Sequence, residues 1–489
     1  VKISIVGRVQ GVGFRPFIFQ LAHELGLKGT VQNNMDGVEV FVEGKIAQVE
    51  LFLQSIEQKA PRLSRIDRIV VHQESFKGFS DFSIIESRRE GASQLVIPVD
   101  AGICEQCLAE MNNPLNFRYH YPFITCTQCG PRYTIIDELP YDRPFTSMAH
   151  FALCPNCEKE YNDPMDRRHH AQPIACPKCG PHLSLVSHDG TIVAHYEEAL
   201  KLAGKLLLQG KILAVKGIGG FHLCCDASND EAVALLRSRK KRPNRPLAVM
   251  SFSIDDVKEF AFVSEAEEKM LKSPEAPIVI LAKKRDYHLA EHVAPNMTTV
   301  GVMLPYSPLH HLLLKEAGGR TLVMTSANVS GLPIVYKNEE CRQFVGEIAD
   351  FYLMHNRDIL HPVDDSVVQI VKETTDFFRK SRGYVPDALF SKNNVDGIVA
   401  FGGQQKTTFT LGRNQQVFIG PHIGDLDNVN TMEHYKNELK HLLKWIEPKQ
   451  EIGVIDYHPN YQTRQLVKEF SFKEVVEVIF KLLLLYLCQ

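Results

Sequence analysis

Cysteine is scarce everywhere but one stretch: of twelve, only Cys224, Cys225, Cys341 and Cys488 lie outside residues 104–179. With no segment resembling a secretory or transit leader, that scarcity argues for a reducing compartment. No apolar run approaches the ~20 residues a membrane helix needs. The longest near the C-terminus is Leu482–Cys488. Neither sign of charge dominates, with 55 Lys and Arg against 58 Asp and Glu and a net charge of −3. That balance gives no reason to expect nucleic acid or an anionic membrane as a partner. The expectation is a cytoplasmic protein of about three or four domains, with no membrane contact.

What is present is concentrated. Eight cysteines form four C-x-x-C pairs, Cys104/Cys107, Cys126/Cys129, Cys154/Cys157 and Cys176/Cys179. Laying 104–131 over 154–181 gives twelve identities in 28 positions. Beyond the cysteines these include Glu110/Glu160, Asn112/Asn162, Pro114/Pro164, Arg118/Arg168, His120/His170 and Gly130-Pro131/Gly180-Pro181. Such fidelity marks a duplicated structural unit. Each copy carries a complete four-thiolate set for tetrahedral Zn2+, with no position left for water, so the metal is structural. One zinc per repeat is expected; interleaved pairing between repeats and two disulfides per repeat are the alternatives.

The first 90 residues predict β-α-β-β-α-β, the ferredoxin-like arrangement. Val1–Val9 roughly alternates, and Phe17, Ile18, Leu21, Ala22 and Leu25 recur at helical spacing before Gly26. Strands over Gly29–Asn33 and Val38–Glu43 flank the turn Asn34-Met35-Asp36-Gly37. A helix over Ile46–Lys59 and strands near Ile66–His72 and Phe82–Ile85 complete the set. The segment Gly7–Arg15 leads directly into a helix. Its backbone N–H groups can wrap a tetrahedral anion, with Arg15 adding a two-pronged donor. Together with Gly29-x-Val31-x-Asn33-x-x-Asp36-Gly37 this resembles the acylphosphatase family. The resemblance implies that Arg15 holds phosphate and Asn33 orients the attacking water.

After the repeats, a helix over Tyr196–Gln209 and a strand over Ile212–Val215 precede Lys216-Gly217-Ile218-Gly219-Gly220. A helix over Asn229–Arg239 runs into Lys240-Lys241-Arg242-Pro243-Asn244-Arg245-Pro246, whose prolines hold several cations at one spot. Met324–Gly331 follows an apolar strand and offers Ser326, Asn328 and Ser330 on one side of a tight turn. His310-His311 reads as a helix packing pair and Cys224-Cys225 as small buried residues. The K-x-R-P-x-x-P-like and S-A-N-x-S-G motifs resemble the YrdC family, which binds ATP in a cationic concavity and makes a carbamoyl-type adenylate. That resemblance implies nucleotide contacts from Lys216, Lys240, Lys241, Arg242, Arg245, Ser326, Asn328 and Ser330, with Arg382 closing the site. Mg2+ with the ATP is expected from nucleotide chemistry, not from a ligand motif.

From Gly397 onward, short strands, Pro421–Leu426 and a helix over Met432–Trp445 resemble the start of an actin-like, sugar-kinase-type domain. The four blocks in this order resemble the carbamoyltransferase family of nickel–iron hydrogenase maturation, over residues 1 to about 478. The fold class implied is multidomain, α+β and α/β. It has a ferredoxin-like acylphosphatase domain (1–90), a duplicated zinc-finger domain (100–184), a YrdC-like twisted α/β domain (190–387) and part of an actin-like domain (395–489). The family reaction hydrolyses carbamoyl phosphate to carbamate and uses ATP to form carbamoyl-AMP and pyrophosphate. The carbamoyl group then passes to the C-terminal cysteine of the maturation protein HypE. Members of that family continue past the strand Glu474–Val478 with a histidine-rich metal motif. Here the sequence from Ile479 is an unrelated apolar tail, read as a truncation or frameshift that leaves the transfer step doubtful. Two rival readings remain. One is an RNA-modifying adenylate former, disfavoured because the basic cluster lacks interleaved aromatics. The other is a non-catalytic scaffold that docks partners through its zinc units.

Overall fold

The computed structural model describes residues 1–34, 37–85, 96–139, 141–328 and 331–479. Alternation along Lys2–Arg8 turns Ile3 and Ile5 inward. This strand lies between Arg65–His72 and Gly37–Glu43, antiparallel to both, and Lys28–Asn34 follows beyond. A short strand, Phe82–Ile84, adds parallel to Lys28–Asn34. Helices Phe14–Glu24 and Ile46–Gln58 close the core with Ile18, Leu21, Phe52 and Ile56. This is the ferredoxin-like arrangement. Two residues of the expected turn, Met35 and Asp36, lie outside the described residues.

In each cysteine repeat a helix begins directly after the first cysteine, Glu105–Asn112 after Cys104 and Pro155–Asn162 after Cys154. The helix N-terminus favours negative charge at that sulfur. The Sγ atoms of Cys104, Cys107, Cys126 and Cys129 approach one another at 3.5–3.8 Å. Those of Cys154, Cys157, Cys176 and Cys179 do so at 3.6–3.7 Å. A tetrahedron with Zn–S bonds of about 2.3 Å has edges of about 3.8 Å, so both sets fit the metal. None of these eight sulfurs is in a disulfide, and each repeat closes its own cluster without interleaving.

The remaining repeat identities build a pseudo-two-fold exchange. Arg118 donates from Nε to the Ala175 carbonyl (2.8 Å) and from Nη1 to Glu160 (3.0 Å). Arg168, one repeat later, donates from Nε to the Thr125 carbonyl (3.0 Å) and pairs with Glu110. His120 and His170 share a left-handed backbone, φ 53° and 54°. Each repeat therefore lends its buried arginine to the other. Arg118 Nη2 also reaches Cys157 Sγ (3.2 Å), and Arg167 reaches Cys107 Sγ (3.3 Å), so guanidinium charge opposes thiolate charge.

An eleven-stranded mixed sheet follows, starting with Leu183–Ser187, earlier than the expected boundary at 190. Near its middle, Leu213–Lys216 pairs with Phe221–Asp226, which pairs with Leu322–Ser326, and Val249–Met250 comes next. Cys224 and Cys225 are buried in that layer. On helix Pro308–Glu316, His310 is buried and packs edge-on against Tyr306. A third, six-stranded sheet runs in the order Ala388–Phe390, Gln416–Ile419, Thr410–Arg413, Ile398–Ala400, Ile452–Asp456, Glu474–Val478. Helix Val429–Ile446 packs Tyr435, Leu439 and Leu442 into its core. The expected tail after Ile479 lies outside the described residues. Among those described, no helix is long and apolar enough to cross a membrane.

Beneath the large sheet's rim, Asp365 receives His222 Nε2 at 2.8 Å and Arg382 Nε at 2.9 Å. The Arg382 guanidinium stacks 3.5 Å from the Tyr306 ring and donates to the Glu275 and Ala276 carbonyls. Burial favours the neutral carboxyl, but His222 and Arg382 hold Asp365 well below the usual carboxylate range. Removing the carboxylate leaves a buried guanidinium without its counter-ion. Asp365→Asn should cost about 3–5 kcal/mol, read as a lower urea midpoint for this unit.

Candidate active sites

Gly13 starts the first helix with φ +75°, and a Cβ there would lie 2.5 Å from Thr127 Oγ1 of the first cysteine repeat. Only glycine allows the cradle to be pressed this closely. Gln10 fastens the loop by donating to the carbonyls of Asn34 (2.9 Å) and Gly37 (2.8 Å). The Arg15 side chain, on the helix's first turn, makes no hydrogen bond to another described residue. Burial lowers its guanidinium from its ordinary value, with Asp142 opposing. Asn33 Oδ1 is buried without a partner. Both side chains line one cavity of about 1340 Å³. The cradle N–H groups, the helix terminus and Arg15 suit a tetrahedral anion, and the Asn33 oxygen suits a water that needs an acceptor.

The far wall of that cavity was not legible in the sequence. Asp142, His169 and His170 of the cysteine region line it, as do Arg413 and Lys444 from the last sheet's unit. Burial, then His170 and Arg15, push His169 down to about 4, so it is neutral at pH 7.

A second pocket, about 330 Å³, lies where the large sheet meets the last one. Lys240, Arg242, Arg245, Ser326, Asn328, Asp364 and Arg379 line one side, and Lys406, His422 and Asp425 the other. Lys240 is buried and spends its three N–H donors on Ser326 O (2.6 Å), Asn328 O (3.0 Å) and Asn328 Oδ1 (2.9 Å). It organises the Ser-x-Asn turn instead of reaching into space. Burial first, then Arg242, push it down to about 7. Arg242 is pushed down to about 10 by burial and by Arg245, Arg237 and Arg379. Such mutual repulsion is relieved by a polyanion.

Lys240, Arg242, Arg245, Ser326 and Asn328 thus come together, whereas three other expected contacts do not. Lys241 is exposed on a left-handed cap, φ 51°, outside the lining. Lys216 is buried and donates to the His355 carbonyl (3.3 Å) beside a separate small cavity against the first cysteine repeat. Arg382 is committed to Asp365, and Arg379 stands in the pocket in its place. Ser330 lies outside the described residues. Arg379 and Asp364 (3.6 Å apart) sit in polar runs visible in the sequence. Lys406, His422 and Asp425 arrive from another sheet, and no local pattern announces them.

Comparison with known proteins follows the same order along the chain. The family model described as Acylphosphatase matches residues 1–84, HypF finger matches 103–136 and 153–186, Telomere recombination (the Sua5/YciO/YrdC group) matches 205–381, and HypF Kae1-like domain matches 393–480. The Synechocystis sp. protein named carbamoyltransferase HypF is 44% identical over 466 residues, covering 95% of this chain and 60% of the relative. HypF2 of Cupriavidus necator is 43% identical over 491 residues, covering 96% and 61%. A crystal structure of full-length HypF in a phosphate- and nucleotide-bound form superposes with a TM-score of 0.90 at 44% identity, over 98% of this chain and 62% of that one. The chain therefore spans about three-fifths of the relatives it matches. Four models in succession, two bearing one enzyme's name, and identity above 40% along nearly the whole length lead to one conclusion: from end to end this chain is similar to the HypF carbamoyltransferases, of which it spans about three-fifths.

Proposed function

We propose that this chain turns carbamoyl phosphate and ATP into carbamoyl-AMP through two sites acting in series. The observation that carries the reading is the presence, in one chain, of an anion cradle with an unpartnered acceptor and a crowded cationic pocket. In the first site Arg15 and the cradle hold the phosphoryl group while Asn33 Oδ1 accepts a hydrogen bond from the attacking water. The water oxygen bonds to phosphorus, the phosphorus–oxygen bond to the carbamoyl group breaks, and carbamate leaves. In the second site a carbamate oxygen attacks the α-phosphorus of ATP and pyrophosphate departs. Arg242, Arg245, Arg379 and Lys406 are placed to take up the leaving charge. Asp364 and Asp425, the carboxylates of that pocket, are the residues that would hold the Mg2+ accompanying ATP, which would offset phosphate charge.

The four working units are the acylphosphatase-like, cysteine-repeat, YrdC-like and Kae1-like segments. By kinship with HypF, the carbamoyl group would next pass to the C-terminal cysteine of HypE during hydrogenase maturation, in the cytoplasm where thiols stay reduced. The alternative, a YrdC-like adenylate former in tRNA modification, rests on one unit and leaves the cradle without a task.

The chain should catalyse ATP–pyrophosphate exchange that depends on carbamoyl phosphate, and Arg15→Ala should lower it at least about 100-fold, the loss expected of a charge-assisted anion contact. Supplying carbamate from bicarbonate and ammonium should restore exchange in the variant. Exchange that ignores carbamoyl phosphate and needs threonine with bicarbonate would favour the tRNA reading. Nucleotide affinity should also depend on pH. Lys240 is charged below about 7 and loses its proton above it, and bound phosphates favour the charged form. The ATP Kd, measured by calorimetry from pH 7 to 9, should rise by up to about tenfold per pH unit. In Lys240→Arg it should stay flat.

A further inference from the structure

Outside the two cysteine clusters, one more group of metal-ligating side chains gathers among the described residues: His361, Glu438 and His441, with ligand atoms within 4.8 Å of one another. The group sits where three parts of the chain meet. His361 follows the strand Phe351–His355 of the large sheet, Glu438 and His441 lie on helix Val429–Ile446, and the turn Tyr133–Ile136 comes from the cysteine region.

Hydrogen bonding fixes the chemistry of His361. Its Nε2 lies 3.0 Å from the Ile136 carbonyl oxygen. A carbonyl only accepts, so Nε2 carries a proton, and the neutral form of the ring with that tautomer presents a lone pair at Nδ1. That Nδ1 is buried, has no hydrogen-bond partner and faces Glu438 Oε2 at 3.4 Å. Oε2 already accepts from the Tyr133 hydroxyl at 2.7 Å. Two lone pairs turned toward each other in a buried place call for a cation between them.

Spacing and surroundings favour a metal ion over a proton. Ligand bonds of about 2.1 Å around a tetrahedral ion place neighbouring ligand atoms about 3.4 Å apart. Glu438 and His441 stand three residues apart on one helix, the Glu-x-x-His spacing that turns both toward one point. The Ile136 carbonyl holds the distal N–H of His361, as outer partners of metal-bound histidines do. Tyr133 and Trp445 pack against the His361 ring, while His441 is exposed and leaves the outer side open to water.

We propose that His361, Glu438 and His441 hold a divalent transition-metal ion, of the class served by imidazole and carboxylate, which ties the cysteine region, the large sheet and the last sheet's helix together. The inference rests on this geometry alone and stands or falls independently of the catalytic reading.

The test is metal content and position on the intact chain. After equilibration with zinc and desalting, elemental analysis should give three zinc per chain, two from the cysteine clusters and one more. Anomalous diffraction at the zinc edge should place the extra ion among these three side chains. His441→Ala, a surface change that spares the fold, and Glu438→Gln should each bring the content to two. Cobalt in the third site should show weak d–d bands without the intense thiolate charge transfer of the other two. Two zinc per chain in the unaltered protein, or a third that persists in both variants, would overturn the proposal; the former would mean that a proton bridges His361 and Glu438.

Discussion

Four thiolates cannot stay at 3.5–3.8 Å from one another without a cation between them, and two such groups form the hub of this molecule. Once metal closes each cluster, the chain between the cysteines has little freedom left. The exchange of Arg118 and Arg168 between repeats then locks the two clusters as one body. Every other part is anchored to that body. Thr127 presses on Gly13 of the cradle, and Arg62 donates to the Gln128 and Gly102 carbonyls. Ser147 and Thr134 bond the backbone at Asp358 and Leu360, and the Tyr133 hydroxyl meets Glu438. A metal site that catalyses nothing thus sets where both candidate active sites stand.

Around the hub, buried and half-buried cations divide into two kinds. Arg118, Arg168 and Arg382 are matched by carboxylates and carbonyls at good distances, and so hold shape. Arg15, Arg242 and Arg379 are incompletely matched, and burial lowers the first two from their ordinary values. Carrying such groups costs folding free energy unless an anion arrives to relieve it, which is why perturbed cations mark binding sites better than charge counts do. Residue type alone does not distinguish the kinds. Arg379 and Arg382 stand three apart in one polar run, yet one lines the pocket and the other lies under it.

That contrast explains how much could be read in advance. The repeat, its ligands and the ferredoxin-like unit were legible because each is local: cysteine spacing, strand alternation and helical periodicity act within about 30 residues. The repeat identities at Glu110, Arg118, Glu160 and Arg168 were visible too, though not their purpose, since a reciprocal exchange exists only after the two copies dock. The basic run and the Ser-x-Asn turn, both visible in the sequence, meet at one pocket through Lys240, Ser326 and Asn328. Its opposite wall, Lys406, His422 and Asp425, and the His169–His170 wall of the cradle depend on how separate sheets pack. Lys216 and Lys241 fall outside the pocket lining for the same reason: a cation near a glycine turn or within a basic run reveals nothing of its direction until the sheet is formed.

A relay of this kind places a demand on the fold that a single-site enzyme escapes. Carbamate decomposes in water, so under the proposed function hydrolysis at Arg15 would be useful only if the product reached the cationic pocket before it was lost. Fast transfer requires the two sites to keep a constant relation, and flexible linkers between independent units would not provide one. Thiolate-bound metal does, because its geometry is set by bond lengths and not by marginal packing. The cradle's glycine lies against the first cluster's own loop, and the second cluster's histidines face Arg15. The metal units therefore act as part of the first site's wall as well as its foundation. On this reading, loosening either cluster would first lengthen the journey of the intermediate and only later unfold the chain, so exchange driven by carbamoyl phosphate would fail before ATP binding does.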